Sequence, residues 1–219
     1  MNANSKKRVG VFGGSFDPIT VGHIMTAAQV LHCGSVDEVW IVPCGNRPDK
    51  KTTGAARHRL EMCRRAVEAS FSHDFPIKVM STEVDHGQFI PSYELMKRYA
   101  SEHPSIDFWL IIGSDLVTTL QKWQHGPLLM KECRFLVVPR QGAETTPADP
   151  RWPPGITYRC LEDDAKAGEL DLFVTDISST ALRARLGRPM GRERLCEGLT
   201  PLCVLEYIRE HGLYRGERL

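Results

Sequence analysis

The sequence predicts an α/β fold on a doubly wound parallel sheet. Two observations carry the prediction. Short, almost continuously apolar runs recur along the 219 residues, and helical periodicity fills most of the gaps between them. Strands buried on both faces read as unbroken Val, Ile and Leu runs rather than in–out alternation, and their crossovers are helices. With 42% hydrophobic residues and no shift of composition along the chain, one sizeable core, and so one domain over 1–219, is expected.

The elements follow in order. "RVGVF" at 8–12 reads as the first strand, with Val9, Val11 and Phe12 apolar and Gly13-Gly14 ending it. The helical run 21–32 comes next, then "DEVWIVP" at 37–43 as the second strand and "GAARHRLEMCRRAVEAS" at 54–70 as a helix. "PIKVM" at 76–80, a helix at 91–103, "DFWLIIG" at 107–113, "RFLVVP" at 134–139 and "LDLFVT" at 170–175 continue the rhythm. The stretch 139–155 holds five prolines and two glycines and reads as a surface loop. Residues 178–186 and 200–214 read as helices, the second with Pro201 at its start and Gly212 as a stop, so the C-terminal part from about 178 to 214 is helical.

Charge and cysteine narrow the function classes. Lys and Arg total 28 against 27 for Asp and Glu, a net charge of +1, which leaves no electrostatic footprint for nucleic acid or an anionic membrane. The helix around Arg57, Arg59, Arg64 and Arg65 reads as one apolar face, Leu60, Cys63 and Val67, with the arginines as surface charge. Seven scattered cysteines with no C-x-x-C pair suggest reduced thiols in a cytoplasmic protein, a nuclear location being equally compatible; self-association is left open. No signal peptide or membrane span is read, and the histidines show no metal-ligand spacing.

In a doubly wound sheet ligands bind beyond the carboxyl ends of the strands, and the first strand-to-helix turn is a favoured place. There "GGSFDPITVGH" puts Gly13 and Gly14 where backbone can approach an anion, with His23 in the first turn of a helix whose N-terminus favours negative charge. It is neither G-x-G-x-x-G nor a P-loop. "GSDLVTTLQKW" puts Gly113 and Asp115 after a strand, where a carboxylate can accept from ribose hydroxyls. "DISSTALRARL" puts Ser178, Ser179 and Thr180 at a helix start with Arg183 one turn in, a set suited to a polyphosphate. "PCGNRPDKK" carries Arg47, Lys50 and Lys51 on a loop. Taken singly, each has a plainer role as a turn, cap or solvated charge. All of them fall on one edge of the predicted sheet.

In this order, "GGSFDPITVGH", "GSDLVTTLQKW", "VVPRQG" and "ISSTALRARL" resemble the motifs of the nicotinate and nicotinamide mononucleotide adenylyltransferases, within the nucleotidyltransferase superfamily that carries an H/T-x-G-H signature. The resemblance runs from residue 8 to about 214 and implies a Rossmann-like nucleotidyltransferase fold with C-terminal helices. It implies transfer of an adenylyl group from ATP to a pyridine mononucleotide, with Mg²⁺ carried on the ATP phosphates and no metal site in the protein. By position it implies ATP contacts from His23 and the backbone at Gly14, Ser15 and Phe16, and from Gly113 and Asp115 at the ribose. Ser179, Thr180 and Arg183 would hold the outer phosphates, Trp123 would stack on the pyridine ring, and Lys50 or Lys51 would lie near the mononucleotide phosphate. Thr20 stands where many bacterial relatives have a first histidine and offers a neutral hydroxyl instead. His23, Arg183 and Thr20 are thus the candidate catalytic residues. The alternatives are another adenylyl- or cytidylyltransferase, such as a phosphopantetheine adenylyltransferase, and a non-catalytic nucleotide-binding regulator.

Overall fold

In the computed structural model, residues 6–47, 52–141, 151–188 and 193–215 are described. Six strands form one sheet: β1 (Lys7–Gly14), β2 (Glu38–Pro43), β3 (Ile77–Val79), β4 (Ile106–Gly113), β5 (Arg134–Val138) and β6 (Thr157–Cys160). Their order, β3-β2-β1-β4-β5-β6, reverses direction between β1 and β4, as a doubly wound sheet does at its switch point. Five of the predicted strands stand where expected, within two residues at either end.

The sixth does not. Residues 170–175 lie outside any strand, and the sheet is completed instead by β6, which pairs in parallel with β5 from Arg134↔Thr157 to Val137↔Cys160. Leu170, Phe173 and Val174 are exposed. In place of a neighbouring strand, the Gln29 side chain clasps Phe173, accepting from its N–H and donating to its carbonyl. The β6 sequence "TYRC" is short and half-buried, with no apolar run to mark it.

The helices are α1 (Val21–His32), α2 (Ala56–Ser70), α3 (Thr82–His86), α4 (Ser92–Glu102), α5 (Ser114–Val117), α6 (Gly126–Glu132), α7 (Leu161–Ala167), α8 (Ser179–Leu186) and α9 (Leu202–Glu210). Among the described residues, no helix is long and apolar enough to cross a membrane. All seven cysteines are free thiols, four of them buried.

The chain divides into two compact units. The first takes the residues up to Gly13, Ala27–Trp40 and Ile90–Thr175. Its centre is the strand set β1, β4 and β5, in register at Val9↔Phe108 and Leu110↔Phe135, with Val9, Val11 and Phe135 fully buried. Burying each such side chain stabilises the fold by roughly 1.5–3 kcal/mol. The second takes Gly14–Thr26, Ile41–Phe89 and the residues from Asp176 on. There α2 packs on α9, which buries Val204, Leu205, Tyr207 and Ile208.

The stripe that α2 buries is Arg59, Leu60, Met62, Cys63 and Ala66. Arg59 is 0% exposed, against its expectation as surface charge. Its Nε donates to the Gly54 carbonyl at 2.9 Å, one Nη to the Ser15 carbonyl at 2.7 Å and to Cys44 Sγ at 3.4 Å, and the other to the carbonyls of Cys44 and Gly45 at 2.6 and 3.0 Å. Five donors meet five acceptors, so the guanidinium is buried with its hydrogen-bonding capacity filled. It ties the turn after β1 to the turn after β2.

Candidate functional site

In the second unit the opening motif makes a tight turn ahead of α1. Gly14 packs closely: a Cβ there would stand 3.0 Å from the Phe16 ring, which would have to give by a few tenths of an ångström. Phe16 itself takes a left-handed φ of 45°, uncommon for a bulky residue, and the Asp17–Pro18 peptide that follows is cis. The Gly14 carbonyl accepts from the Cys44 N–H at 2.9 Å, which anchors the turn to the residue after β2.

The turn delivers Thr20 and His23 to the start of α1. Thr20 is the cap residue, its carbonyl accepting from the N–H groups of His23 and Ile24. The His23 ring reaches back, and its Nδ1 lies 3.0 Å from the Thr20 N–H and 2.9 Å from the Thr20 hydroxyl. This is half of a capping box, with histidine in the place of the usual Glu or Gln. A backbone N–H only donates, so Nδ1 carries no proton and the ring's proton sits on Nε2. Phe16 packs edge-on to the ring, centroids 5.1 Å apart. Thr20 is completely buried, so its hydroxyl acts on His23 and not on solvent.

α8 brings the second motif. Ser178 caps it, the hydroxyl accepting from the Ala181 N–H at 3.1 Å. The Ser179 hydroxyl donates to the Pro18 carbonyl at 2.8 Å, and Arg183 Nη1 donates to the Asp17 carbonyl at 2.7 Å. Arg183 Nη2 reaches Thr180 Oγ1 at 3.3 Å. The guanidinium is therefore held against the opening turn, while its Nε is buried with no hydrogen-bond partner among the described residues. An orphaned donor on a charged group costs free energy that an incoming anion can relieve by drawing the side chain to it. Gly14, Ser15, Phe16, Thr20, His23, Ser179, Thr180 and Arg183 are thus brought together within this unit.

In the first unit, Gly113 ends β4 and Asp115 stands in the first turn of α5. The carboxylate folds back over Gly113, where an added Cβ would lie 2.3 Å from Asp115 Oδ1. Arg140, from the stretch "VVPRQG", sits just past β5 with its Nε 3.7 Å from Asp115 Oδ1 and its N–H on the Ser114 hydroxyl at 3.2 Å. Trp123 closes the 3-10 turn Leu120–Lys122 and is half-buried, its indole N–H donating to Thr119 Oγ1 at 3.1 Å. Lys50 and Lys51 lie outside the described residues, as do residues 142–150 of the proline-rich loop.

The doubly wound sheet and the comparisons that follow make the protein a nucleotidyltransferase. The family model described as cytidylyltransferase-like matches residues 11–185. A Salinibacter ruber protein named "probable nicotinate-nucleotide adenylyltransferase" is 34% identical over 209 residues, 94% of this chain and 97% of its own length. One of the same name from Halalkalibacterium halodurans is 30% identical over 216 residues, 95% and 92% of the two chains. Among solved structures, the Plasmodium falciparum nicotinic acid mononucleotide adenylyltransferase complexed with NaAD shares the fold, with a TM-score of 0.76 at 24% identity over 95% of this chain and 97% of that one. The chain belongs to the cytidylyltransferase-like family and, within it, to the nicotinate-nucleotide adenylyltransferases.

Proposed function

We propose that the whole chain acts as one cytoplasmic nucleotidyltransferase domain that moves the adenylyl group of ATP onto nicotinate mononucleotide, releasing pyrophosphate. The observation that carries the reading is His23, fixed at the start of α1 by the Thr20 N–H with its own proton on Nε2, so that it offers a donor where an anion is favoured. The relatives' names support the choice of acceptor.

The attacking group is a phosphate oxygen, already anionic at neutral pH, so the reaction needs no side chain to remove a proton. What the protein must supply is alignment of that oxygen with the α-phosphorus and stabilisation of charge on the departing pyrophosphate. His23 Nε2–H and Arg183 provide the second, and the backbone at Gly14, Ser15 and Phe16 with the hydroxyls of Ser179 and Thr180 holds the phosphates. A donor acting mainly in the transition state is worth roughly 2.7–4 kcal/mol. Thr20 acts by orienting His23. Asp115, with Gly113, takes the adenosine ribose; Trp123 stacks on the pyridine, and Lys50 or Lys51 meets the mononucleotide phosphate.

Magnesium carried on the nucleotide would neutralise phosphate charge. The carboxylate beside Arg183, that of Asp17, already accepts from Thr53, Gly54 and Tyr214, so the residues fit holding phosphate oxygens and not a metal cage. The test is pyrophosphate release from ATP with nicotinate mononucleotide, nicotinamide mononucleotide or phosphopantetheine offered separately. The highest kcat/KM is expected with the first; preference for phosphopantetheine would replace the reading, and binding without release under any acceptor would make the protein a regulator.

A further inference from the structure

We infer that Asp17 and Tyr214 are positioning residues for ATP, acting through Arg183, so that the segment after α9 sets the arginine that grips the phosphates. The inference rests on the reading of Arg183 as a phosphate ligand. Asp17 is 3% exposed, and both carboxylate oxygens are occupied. Oδ1 accepts from the Gly54 N–H at 2.9 Å and from the Tyr214 hydroxyl at 2.7 Å, and Oδ2 accepts from the Thr53 N–H at 2.8 Å. Arg183 Nη1 donates to the main-chain carbonyl of the same residue at 2.7 Å and lies 4.0 Å from Oδ2. One residue therefore fixes the guanidinium from its backbone and is itself fixed through its side chain.

Tyr214 reaches this carboxylate at a conformational cost. It lies beyond α9 with a left-handed φ of 61° and is 4% exposed. Phe16, directly before Asp17, is also left-handed. Such conformations in bulky residues persist where the surroundings over-determine them, and both of these flank one carboxylate. Burial and the nearby Asp17 charge push the Tyr214 phenol well up from its usual range, which keeps it a donor. A short phenol-to-carboxylate bond is charge-assisted and stronger than a neutral one. Space around the contact is closed, since a Cβ on Gly54 would lie 2.9 Å from Asp17 Oδ1 and 3.0 Å from the Tyr214 hydroxyl. Neither Asp17 nor Tyr214 has a part in the transfer step itself.

The experiment is a double-mutant cycle between Tyr214→Phe, which removes one oxygen and keeps the ring, and Arg183→Ala. Initial rates of pyrophosphate release are read with ATP and nicotinate mononucleotide varied in turn, alongside melting temperature. Tyr214→Phe is expected to raise the KM for ATP about five- to twentyfold, with the mononucleotide KM within about twofold, and to have no further effect on ATP in the Arg183→Ala background. Asp17→Asn, which breaks the contact from the other side, should repeat the selective loss if Tyr214→Phe folds poorly. Equal losses for both substrates, an undiminished effect without Arg183, or no effect on ATP from either variant would overturn the inference. If Arg183→Ala itself leaves ATP kinetics unchanged, the phosphate reading of Arg183 falls and this inference with it. If Arg183→Ala weakens ATP while Tyr214→Phe and Asp17→Asn are silent, only this inference falls.

Discussion

The Thr20 backbone N–H lies 3.0 Å from His23 Nδ1, and that single contact decides the tautomer of the histidine. It places the proton on Nε2 and spends the other nitrogen on the helix cap. His23→Ala should therefore lower kcat at least about a hundredfold, the scale for a donor used in the transition state. The lost cap should cost only about 0.5–2 kcal/mol of stability. Thr20→Val keeps the backbone donor and should cost less than about tenfold in kcat. Nitrogen-15 spectra of the imidazole would test the basis directly: a proton on Nδ1 would remove the mechanism by which Thr20 is said to act.

Arg59 offers the second prediction. Arg59→Met keeps much of the side-chain volume but strips the hydrogen bonds from Ser15, Gly54, Cys44 and Gly45 in a buried place. Unsatisfied buried acceptors cost about 1–3 kcal/mol each, so a loss of at least about 3 kcal/mol in urea unfolding is expected. A loss below about 1 kcal/mol would mean that water replaces the guanidinium.

That role was half legible. Arg59, Met62, Cys63 and Ala66 recur at helical spacing, so periodicity alone puts position 59 on the buried stripe; residue type argued the other way, since arginine is seldom buried. Five acceptors converging from two connections, β1–α1 and β2–α2, decided it, and such convergence has no trace in local sequence. The exchange of 170–175 for β6 has the same origin. Leu170, Leu172, Phe173 and Val174 have strand propensity, but pairing with β5 is a tertiary choice that propensity does not make. That the candidate residues stand at helix starts and strand ends was legible from the motifs; the hydrogen bond that ties Arg183 to Asp17 was not.

The contact between α2 and α9 predicts a pH dependence. His58 Nδ1 lies 2.8 Å from the Tyr207 hydroxyl, and the His211 ring is 5.2 Å from its own. Partial burial, with Arg57 and His211 close by, pushes the His58 imidazole below its usual range. The unfolded chain then takes up its proton first as pH falls. Stability attributable to His58 is full above about pH 6.5 and is lost as pH drops through the lower, folded value. Urea midpoints between pH 7.5 and 5 should show a steeper decline for the wild type than for His58→Gln. Parallel declines would assign the acid sensitivity to other groups.

Trp123 supplies the last prediction, and its geometry sharpens the competing roles. The indole N–H is tied to Thr119 Oγ1 at the close of a 3-10 turn, which anchors the ring by its edge. The residue is half-buried, which leaves part of it exposed for stacking. If the ring receives the pyridine, Trp123→Ala should weaken nicotinate mononucleotide by about 1–3 kcal/mol, the range for a base on an aromatic side chain, with ATP affinity nearly unchanged. Trp123→Phe should recover much of the loss, because it restores a π-face without the edge hydrogen bond. Thr119→Val, which removes that bond and keeps the indole, should loosen the mononucleotide by less than Trp123→Ala does. Calorimetric titration of each ligand separates the two roles: equal weakening of both ligands, or a lowered melting temperature with no selective loss, would assign Trp123 to the fold alone.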